Sequence, residues 1–467
     1  MTLAAPDAGE VERAPLARAL DRVCGTRAIP GNAITPLTDG PRAYAAMLEM
    51  IDQAHRWVHF ENYIIRDDET GRGFASCLEA AARRGVEVRL LYDHFGSLRT
   101  RRRFWHRLRS AGVEVRPFNQ INPLRPVRSL RRDHRKYVGV DGIRAVLGGI
   151  CIGDEWAGSP GADRPPWRDE AVAVAGPAVP ALEWSFLRLW SEAGGSAPAY
   201  AVPSRVDRCG DASVRVIEGL PGRLRLYRAI ELLAASAESR LWITDAYLLV
   251  ATPLFVSLMA AAREGVDVRL LVPGHSDLPP LKALTRVGYR ELLEADARIW
   301  EWHGPMLHAK TIVADGTWWK VGSSNLNPSS FLANYELDIL VEHGGAVAAA
   351  AQQFRRDLAE STEVVLRPAR VPAPLRQRLP PAVASADPAT RSTVPRARGE
   401  LSRRAVVTLR KVAGGARRSI LGAVIFALLG AGSLLLILPH VTAYALAVLC
   451  FWLGGAAVLE FLRRRNL

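Results

Sequence analysis

The stretch Glu79-Ala-Ala-Ala-Arg-Arg-Gly-Val-Glu-Val-Arg-Leu-Leu91 recurs almost residue for residue as Met259-Ala-Ala-Ala-Arg-Glu-Gly-Val-Asp-Val-Arg-Leu-Leu271. Whatever this chain folds into, it must fold into it twice. Each copy reads as an Ala-rich helix, a glycine stop (Gly85, Gly265) and a β-branched run alternating with charge, which is an αβ unit. Upstream of each lies an apolar strand candidate, Trp57 to Ile65 and Leu241 to Val250, each holding a tyrosine (Tyr63, Tyr247). Strands alternating with helices predict an α/β architecture. Two lobes are expected, residues 36–200 and 201–366, after an N-terminal segment of residues 1–35.

The second half carries the sharper motif. It runs His308-Ala-Lys310, four residues, Asp315, six residues, then Gly322-Ser323-Ser324-Asn325. On a strand from His308 to Val313, the period of two sets His308 and Lys310 on one face, so an imidazole and an ammonium converge on one point. A phosphate suits that point. Ser323 and Asn325 repeat the spacing on the following strand and can donate to non-bridging phosphate oxygens. Glu336 is an acid able to hold a histidine Nδ1–H and fix its tautomer. The first half repeats the series as His134-Arg135-Lys136, Asp141 and Gly148-Gly149-Ile150-Cys151, with Asp169 in the place of Glu336. Gly149 and Cys151 stand where the other half has Ser323 and Asn325, which leaves backbone amides to touch a phosphate from that side. One His-x-Lys alone would read as a satisfied histidine beside a surface lysine; four matched polar positions in register do not.

Lys and Arg outnumber Asp and Glu by 61 to 47, and the excess is mostly arginine, whose planar fork suits phosphate oxygens. Nucleic acid and anionic lipid both satisfy that charge. The C-terminal sequence favours lipid. Residues 367–418 form a Pro-, Ala-, Ser- and Arg-rich stretch that reads as an extended basic linker. Ile420 to Leu438 and Val441 to Leu459 follow, two charge-free apolar runs around Pro439-His440, each about 29 Å long as helix and so able to cross a bilayer core. Arg417-Arg418 and Arg463-Arg464-Arg465 flank them, which predicts a transmembrane hairpin within residues 419–462 with both ends cytoplasmic. The catalytic lobes are then expected at the cytoplasmic face of the inner membrane. Residues 1–18 lack the apolar core of a secretory signal. Five scattered cysteines without a C-x-x-C pair imply neither disulfides nor zinc. Twelve arginines from Arg99 to Arg135, interleaved with Phe104, Trp105 and Phe118, read either as a solvated basic helix face or, the leading reading, as a surface that meets headgroups while the aromatics insert at the interface. Trp300, Trp302, Trp318 and Trp319 flank the second motif, and either admit a lipid or pack the core.

The two HxKxxxxD motifs resemble those of the phospholipase D superfamily. Their surroundings resemble bacterial cardiolipin synthases from Pro36 to Arg367: Phe60-Glu61-Asn62-Tyr63-Ile64, Leu90-Leu91-Tyr92-Asp93 with Gly96-Ser97, Asp133-His134-Arg135-Lys136, and Trp167-Arg168-Asp169 with Gly176-Pro177. The resemblance implies two pseudo-twofold-related lobes of mixed β-sheet flanked by helices, with one active site at their interface. It implies a catalytic set of His134, Lys136, Asp141, His308, Lys310 and Asp315, beside the phosphate-binding Gly149, Ser323 and Asn325 and the histidine-orienting Asp169 and Glu336. Cys151 departs from the family, which commonly has asparagine there. The implied chemistry is a two-step displacement with no metal or cofactor, one histidine attacking phosphorus and the other serving as acid and base. By analogy His134 is the nucleophile and His308 the acid/base; the residues themselves leave that order open. Formation of cardiolipin is the leading reading, with anionic phospholipid, phosphatidylglycerol first, as partner. A phospholipase using water as acceptor is an alternative. So is a nuclease, although nucleic acid fits the apolar tail poorly, and so is a lipid-binding protein whose first site has decayed at Cys151.

Overall fold

The first half lays down β1 (Ile29–Thr38), β2 (Trp57–Asn62), β3 (Glu87–Asp93), β4 (Glu114–Phe118), β5 (Arg132–Asp133), β6 (Lys136–Val140), β7 (Arg144–Gly148) and β8 (Glu170–Ala175). The second adds β9 (Ala212–Gly219), β10 (Arg240–Asp245), β11 (Asp267–Pro273), β12 (Arg298–Trp302), β13 (Lys310–Ala314), β14 (Trp318–Gly322), β15 (Asn334–Glu342) and β16 (Ser361–Val364). This computed structural model describes residues 15–120, 129–159, 164–249 and 252–366. The expected linker and transmembrane hairpin lie outside the described residues. Among the described residues, no helix is long and apolar enough to cross a membrane.

The duplicated sequence is a duplicated topology. Strand order is β1-β8-β7-β6-β2-β3-β4 in the first half and β9-β15-β14-β13-β10-β11-β12 in the second. In each, three strands run parallel, β2, β3 and β4 in the first and β10, β11 and β12 in the second, and the others pair antiparallel. Central strands are buried along their whole length, as at β2 and β6, because helices cover both faces of the sheet there. β1 and β9 pair antiparallel and fuse the halves into one mixed sheet, in a unit that runs through Val365. The repeated Ala-rich pattern forms helices Glu69–Arg83 and Thr252–Arg263, and Gly85 and Gly265 follow in the left-handed region at φ 88° and 89°, where glycine ends a helix without steric cost.

Two expectations need correction. Residues 15–35 are not a separate segment: helix Pro15–Cys24 buries Leu20 and Cys24 in the core of the second half beside Leu226 and Ile230, and β1 starts at Ile29, ahead of the expected boundary at Pro36. Nor do the aromatics of the arginine-rich stretch face a membrane. Phe104, Trp105 and Phe118 are buried: the amphipathic helix Arg102–Ser110 turns Phe104 and Trp105 inward and its arginines out, Trp105 stacking 3.8 Å from Tyr92, and Phe118 ends the strand β4. Trp300, Trp318 and Trp319 are likewise core residues.

Candidate active site

Both motifs begin where one half touches the other. β5, just ahead of His134, pairs in parallel with Asn334 and Tyr335 of β15, and the His134 amide donates to the Tyr335 carbonyl at 2.9 Å. In mirror fashion Leu307 bridges Arg168, and the His308 amide donates to the Arg168 carbonyl at 2.7 Å. The residue after each bridging partner is an acid. Glu336 therefore reaches His134 Nδ1 at 3.0 Å, and Asp169 reaches His308 Nδ1 at 2.6 Å. The pairing is crossed: each imidazole is held by a carboxylate from the opposite half.

Both acids stay ionised. Burial would raise Asp169, but His308 and Lys310 outweigh it and bring the carboxyl to about 2; His134 and Lys136 likewise hold Glu336 below its ordinary value against burial. An ionised acceptor keeps the proton on Nδ1, which then donates, and leaves the Nε2 lone pair free. Burial lowers His134. It also lowers His308, with Lys310 adding to it, down to about 3. Both rings are thus neutral at rest. Each feels the lysine of the other motif as well as its own, so the two motifs form one site. Lys136 and Lys310 are buried, and each ammonium donates to the carbonyl of its own histidine. Burial brings Lys310 down to about 8.

The other expected residues divide. Ser323 and Asn325 follow β14 in a loop rather than on a strand. The Ser323 hydroxyl donates to Glu336 at 2.5 Å and accepts from the Leu337 amide; it positions the acid and is not a free phosphate donor. Glu336 also accepts from Asn334 Nδ2 at 3.1 Å. Gly149 serves the same purpose by absence, since a Cβ there would collide with the Asp169 carboxylate. Trp156 Nε1 donates to Asp169 at 2.9 Å, the counterpart of the Ser323 bond. Asn325 is buried with its side-chain oxygen unpartnered. Cys151 is buried in the apolar core of the first half.

Asp141 and Asp315 lie away from the histidines, at the far ends of β6 and β13. With Gly142 and Gly316 they form the β6–β7 and β13–β14 turns, at φ 54° and 52°, the Asp-Gly signal of a hairpin. Asp141 accepts from the amides of His55, Arg56 and Trp57 at 2.8–3.0 Å, and Asp315 from those of Glu238, Ser239 and Arg240. These aspartates fix where β2 and β10 begin. They do not touch the reacting groups.

The sequence reading did not assign four aromatics to the site. Tyr63 packs edge-on to His134 with centroids 4.9 Å apart and lies under the Lys136 ammonium. Tyr247 stands against His308 at 5.9 Å, and Trp156 and Trp167 close its other sides. The matching tyrosines just after β2 and β10 were the signal in the sequence.

Two histidines with their Nδ1 atoms committed to buried acids, and two buried ammonium groups that each act on both rings, make a paired-motif centre of the phospholipase D type. The profile of the family described as "Cardiolipin synthase, PLD-like domain" matches residues 47–154 and 230–358, and the chain belongs to that family. It is 32% identical over 339 residues to a cardiolipin synthase of Geobacillus sp. (strain WCH70), across 70% of this chain and 66% of that protein. It is 31% identical over 353 residues to cardiolipin synthase A of Pseudomonas aeruginosa (strain LESB58), across 74% and 71%. The chain thus spans just under two thirds of the length of the first of these relatives. A crystal structure of phosphatidylserine synthase from Haemophilus influenzae shares the fold, with a TM-score of 0.59 at 15% identity, covering 78% of this chain and 96% of that one.

Proposed function

We propose that the chain is a phosphatidyltransferase that joins two phosphatidylglycerols into cardiolipin and releases glycerol. The crossed pairing of His134 with Glu336 and His308 with Asp169 carries this reading. Nε2 of His134 attacks phosphorus, the bond from phosphorus to the glycerol oxygen breaks, and protonated His308 gives that oxygen its proton. The hydroxyl of a second phosphatidylglycerol then yields its proton to His308 as its oxygen displaces His134 from phosphorus. Lys136 and Lys310 face the charge that develops on the non-bridging oxygens, and the anionic phosphodiester offsets the lysine charge that adds to burial in keeping His308 neutral at rest. The order of the histidines follows the superfamily resemblance. The apolar runs of residues 420–438 and 441–459 would hold the enzyme at the cytoplasmic membrane, with residues 367–418 as tether.

Full-length protein given phosphatidylglycerol vesicles is expected to yield cardiolipin and glycerol by mass spectrometry, and neither with His134→Ala or His308→Ala. Phosphatidic acid in place of cardiolipin would reassign it as a hydrolase. Undiminished turnover in either variant would sink the mechanism.

A further inference from the structure

Helix Pro279–Val287 turns an apolar stripe to solvent. Two of its polar side chains lean inward, Lys282 donating to the Gly274 carbonyl and Thr285 to the Leu248 carbonyl at 2.9 Å, while the exposed Arg286 pairs with Glu301. Leu284 and Val287 face out, 46% and 76% exposed, as does Leu278, just ahead of the helix, at 49%. A helix of a water-surrounded protein buries that stripe. The helix follows β11, whose C-terminal end lies at the catalytic edge, since β11 runs parallel to β10 and Asp245 of β10 pairs with Lys310. It is tied to the site directly: Asp277 accepts from the Tyr247 hydroxyl at 2.8 Å, and Tyr247 stands against His308.

The first half repeats the device after β3, the strand equivalent to β11. Phe95 and Leu98 are each 52% exposed, while Ser97 donates to the Tyr63 carbonyl at 3.2 Å and Tyr63 packs on His134. Arg99, Arg101, Arg102 and Arg103 follow, all exposed. Each catalytic histidine is thus backed by a tyrosine, and each tyrosine supports a loop whose apolar side chains point to solvent.

We propose that these two loops form a collar that penetrates an anionic phospholipid bilayer around the mouth of the site. Leu278, Leu284 and Val287 enter the acyl boundary from one half, Phe95 and Leu98 from the other, and the arginines engage headgroup phosphates. The arginines favour a bilayer over a second copy of this chain, because a self-complementary contact would set like charges together. The collar deepens the phosphatidyltransferase reading and rests on it for the substrate.

The test uses the full-length chain in two arms. In the first, Val287→Cys, in a background with Cys77, Cys209 and Cys450 changed to serine, is labelled with an environment-sensitive fluorophore and mixed with phosphatidylglycerol–phosphatidylcholine vesicles. A blue shift quenched by lipids carrying acyl-chain quenchers is expected, and none from Glu264→Cys, which precedes β11 at the opposite edge. A label at 287 that stays in water, or that shifts through self-association without vesicles, overturns the proposal. In the second arm, Leu284→Asp with Val287→Asp is expected to lower turnover of vesicle phosphatidylglycerol about tenfold and to leave turnover of monomeric short-chain phosphatidylglycerol unchanged. Equal turnover of both by the variant and the parent protein overturns the collar and leaves the catalytic reading standing. No turnover of either by the parent protein overturns the catalytic reading, and the fluorescence arm still decides the collar.

Discussion

The surroundings of His134 and His308 differ more than their shared motif suggests. His308 sits between Leu307 and Ala309, both fully buried, with two indoles around its ring. His134 sits between Asp133 and Arg135, also buried, with Glu61 paired to Arg135 at 3.6 Å. The strand neighbour of Lys310 is Asp245, which burial raises to about 6; that of Lys136 is the neutral Asn62. One acid is steadied by an indole N–H and a missing side chain, the other by a hydroxyl and an amide. The lesson is that the geometry of acid, imidazole and ammonium is reproduced in both halves, while the groups that enforce it are not. Substitutions that look equivalent in sequence should therefore behave unequally.

Removing an acid has the largest effect. Asp169→Asn is expected to lower kcat by about three to four orders of magnitude, and Glu336→Gln by about tenfold less, because Asp169 holds its histidine at shorter range; single-turnover rates decide it, and equal losses would erase the asymmetry. Exchanging the second pair should also be lopsided. Gly149→Ser forces the Asp169 carboxylate aside, for about a hundredfold loss in kcat, whereas Ser323→Gly removes one hydrogen bond to Glu336, for about tenfold.

The pH profile offers a third separation. Lys310 has been lowered to about 8, chiefly by burial with Lys136 beside it, so its charge is complete below that pH and is lost above it. kcat/KM should fall by about tenfold per pH unit on the alkaline side of about 8, and Lys310→Arg should move that limb upward, since a guanidinium keeps its proton; a limb unmoved by the substitution would assign it elsewhere. Asn325→Ala is expected to cost about tenfold in kcat/KM by exposing a phosphate to an unfilled position, and Cys151→Ala less than about threefold, because the thiol packs in an apolar core. Smallest in rate is Asp141→Ala. It should leave kcat of the folded protein unchanged within about twofold while lowering unfolding free energy by about 2–4 kcal/mol in denaturant titration, since three backbone amides lose their acceptor.

The repeat in the sequence foretold the repeated topology because helix stops and strand alternation are local, as Gly85 and Gly265 illustrate. The His-x-Lys spacing marked His134, Lys136, His308 and Lys310 for the same reason, since each lysine lies two residues from its histidine and donates to that histidine's carbonyl. What was not legible lies far apart along the chain. The His308–Asp169 and His134–Glu336 pairs span 139 and 202 residues, and no spacing reveals that they cross. Asp141 and Asp315 misled because an Asp-Gly turn and a catalytic acid leave the same letters. Phe104 and Trp105 misled because arginines on the other face of the same helix gave their surroundings a surface composition.

Since each imidazole borrows its carboxylate from the opposite half, the two ends of the reaction are interlocked. Any parting of the halves as bodies, which opens β5 from β15 and Leu307 from Arg168 alike, strips both rings of their anchors together, so such an open form keeps no competent histidine. A phosphohistidine formed in the closed arrangement would then meet water only when the group needed to activate that water has already been lost, which biases its decay toward an acceptor held in place with it.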